Sequence, residues 1–528
     1  MRIHKFATLL AAGLPLVLSE TAIAQQSGLD AIETVVVIYA ENRAFDNLYG
    51  AFPGANGLQN VKPEDTVQRD RDGSVLATLP PAWDGLTAKG VTPPVTQAQT
   101  EHMPNKPFAI DDPAGLNTPL GVVTRDLWHV FYQNQMQING GRNDMFAAYA
   151  DSGGLVMGHY DGSKMAMWNI AKDNVLADNF YQAVFGGSFL NHQYLICACA
   201  PEYPNADTAA AHPPITVLDM NGTAFTPNLT IKAGSPASSM DGPPMFMTSS
   251  NVVPKNYFGD NTFRAVNTMG PPYQPSFNAP AATDTTKLFA DPMIANTLPP
   301  QTQQTIGDAL DAKNVTWAWY AGAWKSTLAA ATTDRNFGST APGSVPNFQF
   351  HHQPFNYYTK YDPMTGAAAR TAHLKDYTDL VADIQAGHLP SVVFYKPEGD
   401  LNQHAGYASI QAGDAHLADL IGKLQASPQY AKMVIVVTYD ENGGWWDHVA
   451  PPKGDLLGPG SRIPAIIISP IAKKGTVDHT QYDTASVQRL INRRFGLTPL
   501  PGITTRDNAL KAVSGGQAMG DLTNALNL

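Results

Sequence analysis

The stretch that decides the fold is Met433–His448, which reads MVIVVTYDENGGWWDH. Its first five residues are apolar and mostly β-branched, which predicts a strand buried on both faces. Asp440 and Glu441 follow this strand, and open α/β sheets bind ligands at the carboxyl ends of their strands. Adjacent side chains of a strand point to opposite faces, so both carboxylates can face one ion only if the chain leaves the strand there. Gly443 and Gly444 supply that conformational freedom.

A second stretch of the same kind lies near the start of the chain. Residues 35–39 read VVVIY, and Glu41 and Asn42 follow one residue later. Carboxylate and amide oxygens suit hard cations such as Mg, Ca or Mn. The alternative is that Asn42 and Asp46 cap the helix that follows, although capping accounts for one polar residue and not for three. The two strand ends together predict a site for a hard metal ion.

Further strand-like and helix-like runs alternate along the chain. Apolar runs predict strands at 315–320, 391–395 and 463–468, and helical periodicity predicts helices at 305–313, 416–424 and 484–495. This alternation predicts a doubly wound α/β sheet.

Residues 201–300, and similarly 51–120, are rich in Pro and Gly and poor in charge. Because Tyr, Phe and Met recur through residues 201–300, we expect an inserted region or cap there rather than a disordered segment.

Composition sets the outer limits. The chain has 528 residues, of which 43% are hydrophobic and 15% charged, enough for a large core in one big domain or two. Its formal net charge is −11, and it has no long basic run. This charge argues against nucleic acid and anionic membranes as partners.

The first 24 residues read as a secretory signal peptide. Arg2 and Lys5 form a positive start, Ala7–Leu18 is mostly apolar, and Ala22–Ala24 is an A-x-A-like cleavage site. The apolar part is too short to span a bilayer, and no later stretch has the necessary length, so we expect no stable membrane anchor. The N-terminal segment has no twin arginines, which favours the general secretion route. We therefore expect an exported protein, periplasmic or secreted, with cleavage near Ala24.

The chain has two cysteines, Cys197 and Cys199. A disulfide between them would close a very short loop, so we favour two small buried thiols, with the bonded state as the alternative. A zinc site needs more thiolates or a paired His pattern, and the sequence shows neither.

A candidate nucleophile lies in the run FGGSFLNHQY, residues 185–194. Ser188 follows two glycines and precedes a predicted helix, although Gly-Gly-Ser is also a common loop. The run is not Gly-x-Ser-x-Gly, so it lacks the signature of an α/β-hydrolase esterase. Coordination to a metal ion is another way to activate a serine, and the two oxygen-rich strand ends favour it.

Several segments together resemble the bacterial phosphoesterase family of secreted acid phosphatases and phospholipases C, within the alkaline-phosphatase-like superfamily. They are Glu41–Asp46, Gly187–Gln193, Asp440–Pro452, Gly458–Pro464 and Val477–Asp483. The similarity extends from about residue 33 to residue 497. It implies an alkaline-phosphatase-like three-layer α/β/α core with a mostly parallel sheet. It also implies one phosphoesterase domain over residues 25–528, with the irregular insertion at about 201–300.

The resemblance also implies the site. Its metal ligands would be Glu41, Asn42, Ser188, Asp440 and Glu441, around one divalent ion of Ca, Mg or Mn. Ser188 would also be the nucleophile, forming a phosphoserine that water then hydrolyses. Asp447 and His448 would either support these ligands or bind a second ion, and the alternative for His448 is a structural role in the turn.

Histidines complete the implied site. His129, His352 and His404 resemble catalytic residues that bind phosphoryl oxygens and protonate the leaving group. A hydrogen-bonded structural role is the alternative for each of them. His351 is adjacent to His352, and neighbouring side chains on a strand diverge, so the choice between these two stays open.

The acid phosphatase branch of the family fits best. The phospholipase C branch carries a threonine nucleophile and extra C-terminal β domains, whereas here the candidate is Ser188 and about thirty residues follow the helix ending at Phe495. We therefore expect a broad-specificity phosphatase acting on small phosphate monoesters. Phospholipase C activity toward phospholipid head groups is the first alternative, and a non-catalytic protein that binds metal and phosphate is the second. A homodimer is expected from the frequency of twofold assemblies.

Overall fold

An eight-stranded sheet runs through the molecule. The computed structural model describes residues 26, 28–223, 226–249, 251–330, 347–513 and 515–528, so the expected signal peptide lies outside the described residues. The strands are β1 Thr34–Ala40, β2 Phe108–Ala109, β3 Gly158–His159, β4 Val175–Ala177, β5 Phe180–Tyr181, β6 Trp317–Ala321, β7 Leu374–Asp376, β8 Val392–Lys396, β9 Met433–Tyr439, β10 Ala465–Ile468, β11 Thr476–Asp478 and β12 Tyr482–Asp483.

The large sheet has the order β11-β4-β10-β9-β1-β8-β6-β7. All neighbouring strands in it are parallel except β10, which is antiparallel to both β4 and β9. The two stretches with oxygen-rich ends form the adjacent central strands β9 and β1, and every residue of both is buried. The prediction of a mostly parallel α/β sheet is confirmed.

Helices pack around this sheet. They are α1 Phe45–Tyr49, α2 Phe131–Ile138, α3 Ala166–Asp173, α4 Ser188–Cys197, α5 Ile306–Asp311, α6 Trp324–Ala330, α7 Ala367–His373, α8 Tyr377–Ala386, α9 Ile410–Ala426, α10 Ala485–Phe495 and α11 Pro501–Ala512. The predicted helices at 305–313, 416–424 and 484–495 correspond to α5, α9 and α10. None of the helices in the described part of the chain has the length and apolar character needed to span a bilayer.

Helices cover both faces of the sheet. Tyr395 of β8 pairs with Ile38 of β1, so both side chains point to the same face, where the Tyr395 hydroxyl lies 2.6 Å from a ring nitrogen of His416 in α9. Tyr39 points to the opposite face, because side chains alternate along a strand. There its ring packs against His192 of α4, with 4.9 Å between the ring centroids. The order is therefore helix, sheet, helix, as predicted.

Residues 201–300 contain no helix and no strand among those that the structure describes. Their backbone pairs at isolated bridges, such as Leu218 with Leu229, and Val252 and Val266 are fully buried. The region is packed against the core despite its irregular backbone. Its description as an inserted cap of a single catalytic domain stays a prediction.

The preference for two free thiols is wrong, because Cys197 and Cys199 are joined by a disulfide. The helix α4 ends at Cys197, and Ala198 adopts the left-handed conformation with φ 50° and ψ 37°. That conformation turns the chain and brings the two Cα atoms to 5.1 Å, within the range that a disulfide spans. Sequence spacing could not predict the bond, since it depends on the backbone of one residue.

Candidate active site

The two oxygen-rich strand ends meet because β1 and β9 are parallel neighbours. Their register pairs Ala40 with Tyr439, so Glu41 and Asp440 follow side by side at the same edge of the sheet. The Asn42 backbone N–H donates a hydrogen bond of 3.0 Å to Asp440 Oδ1. The parallel pairing thus brings together side chains that are about 400 residues apart in sequence.

The capping alternative for Asn42 is not what the structure shows. The N-cap of α1 is Ala44, and no side chain caps this helix. Asn42 itself has a φ of 60°, in the left-handed region that asparagine tolerates better than most residues. This conformation takes the chain out of the strand at the point where Asn42 turns toward Ser188.

Ser188 is the first residue of α4. Its hydroxyl lies 3.2 Å from Asn42 Oδ1 and 3.3 Å from Glu441 Oε1. Gly187 precedes it, and a Cβ atom there would lie 2.9 Å from the His129 carbonyl oxygen, so the glycine allows a close approach of the two chains. The sequence-predicted nucleophile and two of its predicted partner ligands are therefore in contact.

Three carboxylates are buried together at this edge. Glu41, Asp440 and Glu441 are at most 1% exposed. Burial raises the pKa of Glu41, but Lys396 and His352 outweigh it and hold that pKa well below its usual range. Burial and the charge of Glu41 raise the pKa of Asp440 to about 7, and burial raises the pKa of Glu441 well above its usual value. Like charges this close raise one another's pKa unless a cation lies beside them.

The three predicted histidines surround these carboxylates. His352 Nε2 lies 2.5 Å from Glu41 Oε1, and His404 Nε2 lies 3.6 Å from Glu41 Oε2. His129 Nε2 lies 3.6 Å from Glu441 Oε1. Burial lowers the pKa of His129, but the charge of Glu441 raises it to about 9. Burial lowers the pKa of His352 to about 4, despite its contact with Glu41.

Backbone carbonyls orient two of these rings. Nδ1 of His129 lies 2.5 Å from the Leu127 carbonyl oxygen, and Nδ1 of His404 contacts the Ala405 carbonyl oxygen. Donation from Nδ1 to a carbonyl directs Nε2 of each ring toward the carboxylates. Both rings can therefore present Nε2 to a bound ligand.

A cavity of about 230 Å³ opens beside Ser188. His129, His351 and His404 line it, and Asn267 contributes a wall from the irregular region 201–300. Of the adjacent pair, His351 lines the cavity and His352 contacts Glu41. The structure therefore gives the cavity contact to one residue and the Glu41 contact to the other, a distinction that the sequence could not make.

Sequence reasoning missed Lys396 and His192. Lys396 Nζ lies 2.9 Å from Glu41 Oε1 and 3.8 Å from Asp440 Oδ2. His192 Nδ1 lies 2.8 Å from the Ser188 carbonyl oxygen, one helical turn away. Two sequence features could have indicated these residues. Lys396 is a charged residue at the end of the apolar run 392–395, and His192 lies four residues after Ser188, which places the two on one side of a helix.

Asp447 and His448 belong to a separate buried cluster with Arg462. The Arg462 guanidinium lies 3.0 Å from carboxylate oxygens of both Asp46 and Asp447. The Asp46 N–H donates to Asp447 Oδ2 at 3.0 Å, and the His448 N–H donates to Asp46 Oδ2 at 2.8 Å. Arg462 supplies the positive charge between these carboxylates. The cluster ties the segment after β1 to the segment after β9.

Replacement of Arg462 by methionine is expected to lower the free energy of unfolding by about 3–5 kcal/mol, because it leaves buried carboxylates without their partner. The measurement is chemical denaturation of the wild type and the variant. The matched control is Arg69→Met, which breaks the pair with Asp144 at a side chain that is 43% exposed. This control should cost about 0–1 kcal/mol. Equal losses in the two variants would contradict the structural role of the cluster.

The stabilisation from His448 is expected to depend on pH. Burial lowers the pKa of His448, but the hydrogen bond and charge of Asp46 raise it above its usual value, with Asp447 adding to the rise and Arg462 opposing it. A raised pKa in the folded state stabilises the protein below the unfolded-state pKa, and the effect disappears as the pH rises through the folded-state pKa. The difference in unfolding free energy between wild type and His448→Asn should therefore be larger at pH 5.5 than at pH 9. A difference that grows with pH would contradict this assignment.

A buried serine hydroxyl among carboxylates and histidines, at the carboxyl end of a mostly parallel sheet, defines a candidate hydrolase site. The model of the Phosphoesterase family matches residues 32–498. The chain therefore belongs to the Phosphoesterase family.

Curated relatives align with part of the chain. Phospholipase C B of Mycobacterium tuberculosis is 29% identical over 174 residues, covering 28% of this chain and 32% of the relative. Non-hemolytic phospholipase C of Pseudomonas aeruginosa is 30% identical over 180 residues, covering 28% and 25%. Non-specific phospholipase C1 of Arabidopsis thaliana is 32% identical over 112 residues, covering 17% and 21%. The aligned part spans about a third or less of these relatives.

The solved structures that align with this chain have lower sequence identity to it than the curated relatives. A protein in the alkaline phosphatase superfamily from Vibrio parahaemolyticus aligns over 72% of this chain and 67% of its own, with 8% identity and a TM-score of 0.30. Murine ectonucleotide pyrophosphatase/phosphodiesterase 5 aligns over 63% and 90%, with 10% identity and a TM-score of 0.28.

Proposed function

We propose that this chain is an exported, metal-dependent phosphatase of the acid phosphatase type, hydrolysing phosphate monoesters through a phosphoserine intermediate. The observation that carries the proposal is the position of Ser188. Its hydroxyl contacts Asn42 and Glu441 oxygens at 3.2 and 3.3 Å and lines the cavity beside α4. Membership of the Phosphoesterase family supports the same chemistry.

The residues around Ser188 fit one divalent cation. The proposed ligands are Glu41, Asn42, Ser188, Asp440 and Glu441, all oxygen donors of the kind that Mg, Ca and Mn prefer. Asp440 Oδ2 is buried and accepts no hydrogen bond from the described part of the chain, which leaves it available to a cation. A divalent ion held there would lower the pKa of the serine hydroxyl and neutralise charge on the phosphoryl oxygens.

The remaining steps use residues of the chain. Ser188 Oγ bonds to phosphorus as the ester oxygen leaves, and Glu441 Oε1 is close enough to accept the hydroxyl proton. The N-terminal end of α4 favours a negatively charged phosphoryl group. Despite burial, the charge of Glu441 raises the pKa of His129 to about 9, so this ring donates from Nε2 to the phosphoryl group and supplies the proton to the leaving group. His404 presents Nε2 to the same cavity, and because burial lowers its pKa it donates to the phosphoryl oxygens only when it is charged at low pH. Water then attacks the phosphoserine and gives a proton to His129, while Ser188 Oγ leaves phosphorus and takes the proton back from Glu441, which releases phosphate.

Phospholipase C activity is the second candidate function. It is favoured by the names of the relatives, which are phospholipases C in bacteria and in a plant. We rank monoesters first because a cavity of about 230 Å³ lies below the usual size of small-molecule pockets and suits a phosphoryl group with a small leaving group. Small phosphate esters are the proposed partners, phospholipid head groups belong to the second candidate, and a homodimer is the proposed assembly.

The test compares two chromogenic substrates, p-nitrophenyl phosphate and p-nitrophenylphosphocholine, between pH 4 and pH 9. We expect kcat/KM for the monoester to exceed that for the diester by at least about tenfold, with the higher monoester rates below pH 7. A preference of similar size for the diester would move the assignment to phospholipase C. Turnover of neither substrate by metal-loaded protein would favour a non-catalytic protein that binds metal and phosphate.

A further inference from the structure

Lys396 is a fully buried cation within the proposed metal site. It is the last residue of β8, which lies beside β1, and its side chain is 0% exposed. Its Nζ lies 2.9 Å from Glu41 Oε1 and 3.8 Å from Asp440 Oδ2, and it donates a hydrogen bond of 3.3 Å to the Ala40 carbonyl oxygen. The ammonium therefore lies between two of the three buried carboxylates.

Lys396 offsets part of the buried carboxylate charge. Glu41, Asp440 and Glu441 carry three negative charges when ionised, and Lys396 contacts the first two of them. A fixed cation there lowers the positive charge that bound ions must supply beside Glu41 and Asp440, because uncompensated charge is costly in a protein interior.

The two carboxylates that Lys396 contacts also belong to a group of potential metal ligands. Glu41, His192 and Asp440 offer ligand atoms that all lie within 4.8 Å of one another, a spacing compatible with a shared cation. Two-metal hydrolase sites hold their ions about 3.5–4 Å apart, bridged by shared ligands. Lys396 contacts Glu41 and Asp440 of this group, so its ammonium competes with a second ion for the same oxygens.

We infer that Lys396 serves as a built-in cation, which occupies the place of a second metal ion and limits the site to one divalent cation. The inference rests on the metal site of the proposed function. Lys396 is a positioning residue in this account, because it holds Glu41 and balances charge without touching the substrate. Its removal is therefore expected to change how many ions the protein binds.

The test counts bound metal in Lys396→Met. Metal-free wild type and variant are loaded with excess Mn²⁺ and desalted, and manganese per chain is measured by elemental mass spectrometry and by calorimetric titration. We expect one ion in the wild type and two in Lys396→Met, with a larger rise in melting temperature on adding Mn²⁺ to the variant. The matched control is Lys360→Met, whose lysine pairs with Asp308 and Asp311 and is 35% exposed. It should bind one ion.

Two results would overturn the inference while leaving the metal site in place. They are a single ion of wild-type affinity in Lys396→Met, or two ions in the wild type. A wild type that binds no Mn²⁺ and keeps its turnover after chelation would overturn both the inference and the proposed metal dependence. If Lys396→Met fails to fold, Lys396→Gln removes the same charge while keeping a donor for Glu41, and the same two ions are expected in it.

Discussion

Replacement of Ser188 by alanine is expected to lower kcat for phosphate monoesters by at least about 10³-fold, because the variant lacks the atom that bonds to phosphorus. The fold should survive, since the change removes one oxygen at the start of α4 from a side chain that is 5% exposed. The measurement is steady-state turnover of p-nitrophenyl phosphate by metal-loaded wild type and variant, with melting temperatures recorded for both.

The matched control is Ser188→Thr, which keeps a hydroxyl at the same position. It should retain more turnover than Ser188→Ala, because a threonine can also form a phosphoester. Loss of activity in the alanine variant alone identifies the hydroxyl as the necessary group. Wild-type kcat in Ser188→Ala would remove this residue from the chemistry.

Exhaustive chelation is expected to abolish turnover and to lower the melting temperature by several degrees. The three buried carboxylates lose part of their counter-charge when the ion leaves, and an ion present at 100 times its Kd stabilises the fold by about 2.7 kcal/mol. The measurement is activity and thermal unfolding before chelation, after it, and after adding back Mg²⁺, Ca²⁺ or Mn²⁺ separately. The ion that restores both quantities at the lowest concentration is the preferred one.

The control for chelation is Asp440→Asn, which removes one carboxylate from the proposed ligand set. Its melting temperature should respond less to chelator than that of the wild type, because it binds the ion more weakly. Unchanged turnover in chelated wild type that contains no metal would contradict metal dependence.

The parts of the site that the sequence predicted are those encoded by local pattern. An apolar β-branched run with Asp440 and Glu441 just beyond it marks a strand end, and the same pattern marks Glu41 and Asn42. Both runs form buried strands, and their parallel pairing brings the four side chains together. Ser188 is a candidate because it follows two glycines and precedes a predicted helix, and the helix α4 begins at this residue.

The parts that the sequence did not predict depend on distant elements packing together. The contact of Lys396 with Glu41 exists because β8 lies beside β1, a neighbour relation that no local run of residues encodes. The histidines became candidates through family resemblance alone, and the difference between His351 and His352 required the structure. The Cys197–Cys199 bond depends on the left-handed backbone of one alanine.

The central claim is that phosphate passes through Ser188, and trapping of the phosphoenzyme tests it most directly. Metal-loaded protein turning over a monoester labelled in its phosphoryl group is quenched in acid and mapped by peptide mass spectrometry. The account predicts one labelled serine, Ser188, with no label in Ser188→Ala. Undiminished turnover with no label on Ser188 in the wild type, or with label on another residue, would contradict the account.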